Sequence, residues 1–380
     1  MGTDNKDLTI MKEIITFIKK ETVFTIAILL GLCSMAIVPP SKDCIGYFDW
    51  KVLALLFCMM LIVAGIREQW IFRRLAEKLT ANVKNSKILE LILVLLPFFS
   101  SMLITNDVAL ITFVPFALAL LNGAGLQHRI IRVVVLQTIA ANLGSMLTPI
   151  GNPQNLYLYT LSGMKPGDFF LVMLPFTIIS LITLVCIVLF GKKDEIKVCF
   201  EKASMPIHKK KLALLILLFL LCMATVARVL DYRISFAVVL VTGLIFFRNL
   251  FRDVDYYLLG TFCGFFFFIG NMKQIAAVND MINGMLKGHE MLTSFLLSQV
   301  ISNVPATMLL SGFTNEYKQL LIGVNMGGLG TLIASLASLI SYKFYAVTKG
   351  AQKGKYMLVF TAYNLLFIIV LMIACLGLYR

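Results

Sequence analysis

The sequence predicts an all-α polytopic membrane protein, an inverted repeat with about nine transmembrane helices, two re-entrant hairpins and two broken helices. Three observations predict this fold. The 380 residues are 59% hydrophobic and 14% charged, with apolar runs along nearly the whole chain. Basic residues collect between these runs. Two similar polar patterns, headed by Asn142 and Asn325, interrupt apolar segments in the two halves. Lipid cannot satisfy free backbone groups, so such interruptions are tolerated only where they line a protected cavity.

The net charge of +14 would suggest a nucleic-acid partner in a soluble protein. Here the basic residues lie in loops between apolar runs, as cytoplasmic loops do under the positive-inside rule, so we expect no nucleic acid. The eight cysteines show no Cys-x-x-Cys spacing, so a disulfide framework is not expected. The three histidines fall in predicted loops, so no metal constellation is apparent.

Residues 1–21 form a polar N-terminal segment without the features of a secretory signal peptide. Within it, Leu8 to Lys20 has helical spacing and could lie on the membrane surface. The lysines of this segment place the N-terminus in the cytoplasm. We therefore expect an integral protein of a bacterial cytoplasmic membrane.

Residues 22–190 form the first predicted repeat. The segment 88–121 has the polar residues Thr105, Asn106 and Asp107 near its middle and basic residues at both ends. Because both ends should lie in the cytoplasm, we predict a re-entrant hairpin, with an ordinary pair of spans as the alternative. The other predicted segments of this repeat are the spans Val23–Val38, Val52–Ile66 and Phe169–Phe190 and the broken helix 133–160.

A linker at 191–211 carries seven lysines and is predicted to be cytoplasmic. Residues 212–380 hold one extra helix and the second repeat. Its hairpin, 291–313, has arms of about ten residues, which reach about 15 Å, half the hydrocarbon thickness. A single straight span kinked at Pro305 is the alternative. The other predicted segments are the helices Leu212–Ala227, Ile234–Phe247, Tyr257–Asn271 and Met357–Tyr379 and the broken helix 320–347.

The polar patterns predict two ion sites near the middle of the membrane. Asn supplies a side-chain carbonyl, and Gly permits unwound backbone that exposes main-chain carbonyls. Helix ends at the hairpin tips and breaks attract ions of either sign. The predicted ion-binding residues are Asn106, Asp107, Asn142, Gly144, Ser302, Asn303, Asn325 and Gly327. The predicted substrate contacts are Thr105, Ser145, Thr148, Asn155 and Thr331.

Each feature taken alone also has a structural explanation. Gly323 and Gly327 have the spacing of a helix-packing face, and a single membrane Asn can simply join two helices. The matched offsets of the two patterns favour a transporter, because chance packing does not predict them. Asp107 is the one carboxylate deep in a predicted membrane segment, where an acid is costly and by default functional. The alternative is that Asp107 lies in a surface turn between two full spans.

These motifs resemble the ion transporter superfamily, which includes divalent anion:sodium symporters, citrate transporters, arsenite permeases and one class of sodium/proton antiporters. The resemblance rests on Thr105-Asn106-Asp107, on Thr148-Pro-Ile-Gly-Asn-Pro-Gln-Asn155 and on Ser302-Asn303-Val-Pro305, and covers the chain from about Val52 onward. It implies a homodimer in which a hairpin-bearing transport domain moves against a scaffold. The two tips read Thr-Asn-Asp and Ser-Asn-Val where dicarboxylate symporters have Ser-Asn-Thr, which weakens a dicarboxylate assignment.

The sequence thus predicts an ion-coupled secondary transporter, not an enzyme, that moves a small, anionic solute by alternating access. It needs no cofactor other than Na+ or H+ as coupling ion. The alternatives are a sodium/proton antiporter and an arsenite-type efflux permease. A channel is less favoured because no charged ring or filter sequence is present, and without a P-loop ATP-driven pumping has no support.

Overall fold

The computed structural model describes residues 11–13, 15–18, 21–81, 83–191, 193–194 and 208–378. In these ranges the regular elements are α-helices joined by short turns and 3-10 segments. Residues 11–13 and 15–18 of the predicted surface segment are helical and exposed. The rest of that segment and most of the basic linker lie outside the described residues.

The first half of the chain forms eight of the described helices, and most follow the predicted segments to within a few residues. Helix α3 was not predicted: it lies between the predicted segments Val52–Ile66 and 88–121, where the basic residues favoured a cytoplasmic loop. Its Ile71, Phe72, Leu75 and Leu79 have helical spacing, which explains its formation. The helices are α1 (Thr22–Met35), α2 (Trp50–Glu68), α3 (Ile71–Thr80), α4 (Ser86–Ser100), α5 (Asn106–Gly123), α6 (Ile130–Ser145), α7 (Pro153–Ser162) and α8 (Pro166–Leu189).

The second half also contains one helix that was not predicted, α12, which follows α11 after a bend of 107°. The helices are α9 (Lys209–Val226), α10 (Tyr232–Phe246), α11 (Tyr256–Met272), α12 (Ala276–Leu286), α13 (Glu290–Ile301), α14 (Asn303–Ser311), α15 (Tyr317–Met326), α16 (Leu336–Ala346) and α17 (Lys353–Leu378).

Four of the described helices, α2, α5, α8 and α17, are long and apolar enough to cross a membrane. The number is five if α11 and α12 form one bent span. Shorter apolar helices, such as α1 with 14 residues, do not meet this length, so the count of nine spans stays a prediction. The apolar windows of α8 and α17 are only 39% and 28% buried. Such extensive apolar surface suits contact with lipid.

Charged residues join the start of α4 to the segment that follows α5. Glu90 in α4 is 1% exposed, and its carboxylate lies 2.9 Å from Arg129 and 2.8 Å from Arg132. Arg129 also donates to Asp194, and this hydrogen bond lowers the pKa of the Asp194 carboxyl. Lys87 donates to the carbonyl of Leu189 at the end of α8. The start of α4, the end of α5 and the end of α8 therefore lie at one end of the molecule, called here the linker end.

Helices α6 and α16 run antiparallel. Ser335, which precedes α16, donates to Asn142 near the end of α6. At the linker end, Ile130 at the start of α6 shares a surface cavity with Thr348, just after α16. In the second half, Thr314, after α14, lies 3.4 Å from Glu290 at the start of α13. The two arms α13 and α14 thus also begin and end close together.

Candidate functional site

Two helix breaks lie next to the two hairpin tips. The first break separates α6 from α7, and the second separates α15 from α16. The backbone N–H of Asn106 donates to Gly151 at 3.1 Å, and that of Asn303 donates to Ala334 at 2.9 Å. At the offset that relates Asn142 to Asn325, Gly151 corresponds to Ala334. The same bond therefore fastens each tip to the break of its own repeat.

A second equivalent pair of bonds involves the two threonines of the patterns. The Thr148 hydroxyl donates to the carbonyl of Met102 at 2.6 Å, and that of Thr331 donates to Gln299 at 3.0 Å. Each acceptor lies four residues before the asparagine of its tip. The hydroxyl protons of Thr148 and Thr331 are thus used to hold each hairpin, which leaves only their lone pairs for a substrate.

The two repeats also exchange hydrogen bonds at their centre. Asn152 donates to Oδ1 of Asn325 at 3.2 Å, and Ser335 donates to Oδ1 of Asn142 at 3.0 Å. Asn152 and Ser335 occupy equivalent positions, so each break supplies a donor to the asparagine of the other repeat. Asn106 also donates to Oδ1 of Asn142, at 2.9 Å. Reciprocal contacts of this kind are what a two-fold relation between repeats produces.

Side-chain amides satisfy the carbonyls that the broken helices leave free. The buried Asn155 amide donates to the carbonyls of Ser145, Met146 and Thr148 at 3.1–3.3 Å. It also accepts from Asn325 at 2.7 Å. Ser145 itself donates to the carbonyl of Asn142. Asn155 thus acts first as a structural cross-link between the two breaks.

The second break has a different amide donor. Gln299, on α13, donates to the carbonyls of Gly327 and Leu329 at 3.0 and 2.9 Å. The position equivalent to Asn155 is Ser338, whose buried hydroxyl has no hydrogen-bond partner among the described residues. The two repeats therefore share backbone geometry but differ in the side chains that complete it.

Gly144 and Gly327 allow close approach between helices. A Cβ on Gly144 would lie 2.0 Å from the carbonyl oxygen of Phe98, and one on Gly327 would lie 2.6 Å from Ser298. Both glycines are thus required by packing, which the helix-packing alternative had suggested for Gly327. Their part in ion binding stays a prediction.

The hairpin tips differ in charge and in backbone strain. Ser302, between α13 and α14, has φ of 76°, a conformation that costs energy for a residue with a Cβ. Asp107 follows Asn106, whereas the apolar Val304 follows Asn303. Oδ1 of Asp107 is buried without a hydrogen-bond partner among the described residues. Thr105 precedes α5 and is half-buried.

A cavity of about 360 Å³ lies between the tips and the starts of α1 and α11. Asn106, Asp107, Ser302 and Asn303 line it together with Ser335. A second cavity of about 250 Å³ shares Asp107 with the first and also holds Thr105. The size of the first cavity, about 360 Å³, suits a small ligand, since ligand pockets begin at about 300 Å³. In the described part of the chain no three His, Cys, Asp or Glu side chains could hold a metal ion.

A family model described as "Citrate transporter", CitMHS, matches residues 13–316. The chain belongs to the citrate transporter family. It is similar to an uncharacterized transporter of Methanocaldococcus jannaschii, at 33% identity over 82% of this chain and 85% of the relative. Inner membrane protein YbiR of Escherichia coli is 29% identical over 84% and 87%. A putative transporter, arsB, of Dictyostelium discoideum is 25% identical over 40% of this chain and 27% of its own length.

Family membership makes the chain an integral membrane transporter and not an enzyme. It also confirms the resemblance drawn from the motifs at Asn106, Asn155 and Asn303. Asn152 lies in the motif that ends at Asn155 but was not assigned a role, and Gln299 and Ser335 were not singled out. All three bond to the breaks. Asn152 and Ser335 could have been found by applying the Asn142-to-Asn325 offset through the whole pattern.

Proposed function

We propose that this member of the citrate transporter family is an ion-coupled secondary active transporter. It moves a small anionic solute, a carboxylate or an oxyanion, by alternating access, with Na+ or H+ as the coupling ion. The supporting observation is the reciprocal exchange of hydrogen bonds by Asn152 and Ser335, beside a cavity lined by both hairpin tips. A transporter of inverted repeats places its binding site where two such breaks meet.

The proposed topology has nine spans and two re-entrant hairpins, α4–α5 and α13–α14. Residues 22–190 form one repeat, and the second lies within 212–380 after the linker 191–211. The contact of Glu90 with Arg129 supports a hairpin with both ends on one face. The antiparallel α6 and α16 support the inversion of the repeats. The N-terminus is cytoplasmic, the membrane is the bacterial cytoplasmic membrane, and the protein is a homodimer.

Two ion sites are proposed, one at each tip. Asn106, Asp107, Asn142 and Gly144 form the first, and Ser302, Asn303, Asn325 and Gly327 form the second. The N-termini of α5 and α14 lie at the tips, and the positive ends of their helix dipoles favour an anion. The solute then lies between the tips, within reach of Thr105, Ser145, Thr148, Asn155 and Thr331.

Uptake into proteoliposomes tests this function. Purified protein is reconstituted, and entry of radiolabelled citrate, succinate, phosphate or arsenite is followed under an inward sodium or proton gradient. We expect one of these solutes to accumulate against its gradient and to stop accumulating when the ion gradient is dissipated. Uptake that is independent of both ions would reject a coupled transporter.

A sodium/proton antiporter without organic solute is the second candidate, and Asp107 favours it. Its buried, unpartnered carboxylate oxygen is the kind of group that carries a proton or binds a cation in a membrane. Sodium-driven changes of internal pH in proteoliposomes, lost in Asp107→Asn, with no solute uptake, would select this candidate.

A further inference from the structure

We propose that Lys343 supplies the positive charge that binds the anionic group of the transported solute. This inference rests on the proposed transport function and names a residue of the same cavity. Lys343 lies on α16 and lines the 360 Å³ cavity that holds both hairpin tips.

The spacing of α16 residues directs Lys343 toward the tips. Ser335, Leu336, Leu339 and Lys343 line the cavity and follow one another at helical spacing, so they share one face of α16. Ser335 at the beginning of this face is bonded to Asn142. Lys343 lies seven residues beyond Leu336, or about 10 Å along the axis. Helical side chains lean toward the N-terminus, so the lysine stem extends back toward the tips.

The charges of the cavity are separated. Lys343 is exposed to the cavity and forms no ion pair with a described residue. Glu21, Asp107 and Asp255 line the same space, and no ion pair links Asp107 or Asp255 to a described cation. Lys343 is the one basic side chain among the described residues that line this cavity, beside three acidic ones. The arrangement suits a cation beside Asp107 and a carboxylate or oxyanion beside Lys343.

Neither charge belongs to the shared framework of the repeats. At the offset that relates Asn142 to Asn325, Lys343 corresponds to Thr160 on α7. When the two tips are aligned on Asn106 and Asn303, Val304 takes the place of Asp107. The equivalent hydrogen bonds in the two repeats do not involve either of these charged side chains. Their presence once each, in one cavity, points to recognition of a ligand that carries charge.

A lysine near the end of a membrane helix can also serve only to reach the membrane surface. That role and anion binding differ in what they predict. A surface-reaching lysine contributes to folding and insertion without discriminating among solutes. Replacing an anion-binding lysine with a neutral residue raises the KM for anions, whereas replacing it with another basic residue keeps the KM close to that of the wild type.

The test compares Lys343→Met, Lys343→Arg and the control Lys349→Met in the proteoliposome assay, with each of citrate, succinate and phosphate that the wild type takes up. Lys349 is exposed in the turn after α16 and does not line the central cavity. We expect Lys343→Met to raise the KM about 10- to 100-fold with little change in maximal rate, as loss of a charge-assisted hydrogen bond does. Lys343→Arg should keep most of the affinity, and Lys349→Met should match the wild type. Melting temperatures of the purified variants provide the folding control.

The outcomes separate this inference from the proposed function. Wild-type uptake of citrate, succinate or phosphate with an unchanged KM in Lys343→Met would overturn the role of Lys343 and leave the transporter in place. An equal loss in Lys343→Met and Lys343→Arg, with lowered melting temperatures, would also overturn it. If the wild type takes up none of citrate, succinate, phosphate and arsenite and is stabilised by none of them, both proposals fail.

Discussion

The side-chain amide of Asn152 donates a hydrogen bond to Oδ1 of Asn325 across 173 residues of chain, at 3.2 Å. Its counterpart runs in the opposite sense, from Ser335 to Asn142. The two breaks are thus held together by the polar residues that interrupt them. Water is absent from a bilayer core, so these groups must satisfy one another or a ligand.

We expect Asn106→Ala and Asn303→Ala each to abolish ion-dependent uptake while the protein still folds. Oδ1 of Asn142 keeps the hydrogen bond from Ser335 when the Asn106 amide is removed, so no buried acceptor loses every donor. Uptake in proteoliposomes is the measurement, and size-exclusion profiles with melting temperatures report folding. Full activity in both variants would reject the assigned ion sites.

Gly144→Ala should strongly destabilise the protein. The new methyl group would lie 2.0 Å from the Phe98 carbonyl oxygen, and overpacking of a tight core costs about 1–3 kcal/mol. Gly123→Ala, at the exposed end of α5, meets nothing within 4 Å and should be neutral or slightly stabilising. Thermal unfolding in detergent compares the two. Equal melting temperatures would contradict the close contact between α4 and α6.

Asn155→Ala should reduce the free energy of unfolding by about 1–3 kcal/mol, because buried carbonyls lose their amide donor. Ser338→Ala, at the equivalent position of the second repeat, removes a hydroxyl that has no hydrogen-bond partner in the described structure. That variant should change stability by less than about 0.5 kcal/mol. Denaturant unfolding measures both, and a larger effect at Ser338 than at Asn155 would contradict the role of Asn155 as a structural cross-link between the breaks.

Glu90→Gln should lower the free energy of unfolding by about 3 kcal/mol, since breaking a buried ion pair leaves a buried charge uncompensated. Arg129 keeps Asp194 as a partner, which places the cost at the lower end of the range. The control is Glu77→Gln, whose partner Arg73 is 41% exposed on the surface helix α3. A surface pair at this spacing is worth about 0.3–0.5 kcal/mol. Similar melting temperatures for the two variants would mean that the ion pairs of Glu90 do not stabilise the first hairpin.

The sequence predicted the positions of most helices and both breaks because apolar length and polar interruptions are local signals. Asn142 and Asn325 could be paired because their patterns repeat. Local signals do not reveal which residue satisfies a break. Asn155 serves the first and Gln299 the second, and only the folded chain brings Gln299 to Leu329. The helix α3 was missed because its arginines and lysine resemble a basic loop, although its apolar residues have helical spacing.

Gly144 has a packing role that its motif does not reveal. In the sequence, a glycine beside Asn142 is typical of unwound backbone. In the structure, Gly144 lies within α6 and allows α4 to approach. A packing requirement and an ion site can share a residue, but the spacing alone cannot distinguish them.

The most direct test of the account is labelling of single cysteines at Thr105 and Val304, placed in a protein without its native cysteines. A membrane-impermeant maleimide is applied to inside-out and right-side-out vesicles, with and without sodium and citrate. Both positions lie half-buried at the tips, and alternating access predicts that both are labelled from either side, with rates that the ligands change in parallel. Labelling of Thr105→Cys from one face only and of Val304→Cys from the opposite face only would contradict a shared central site.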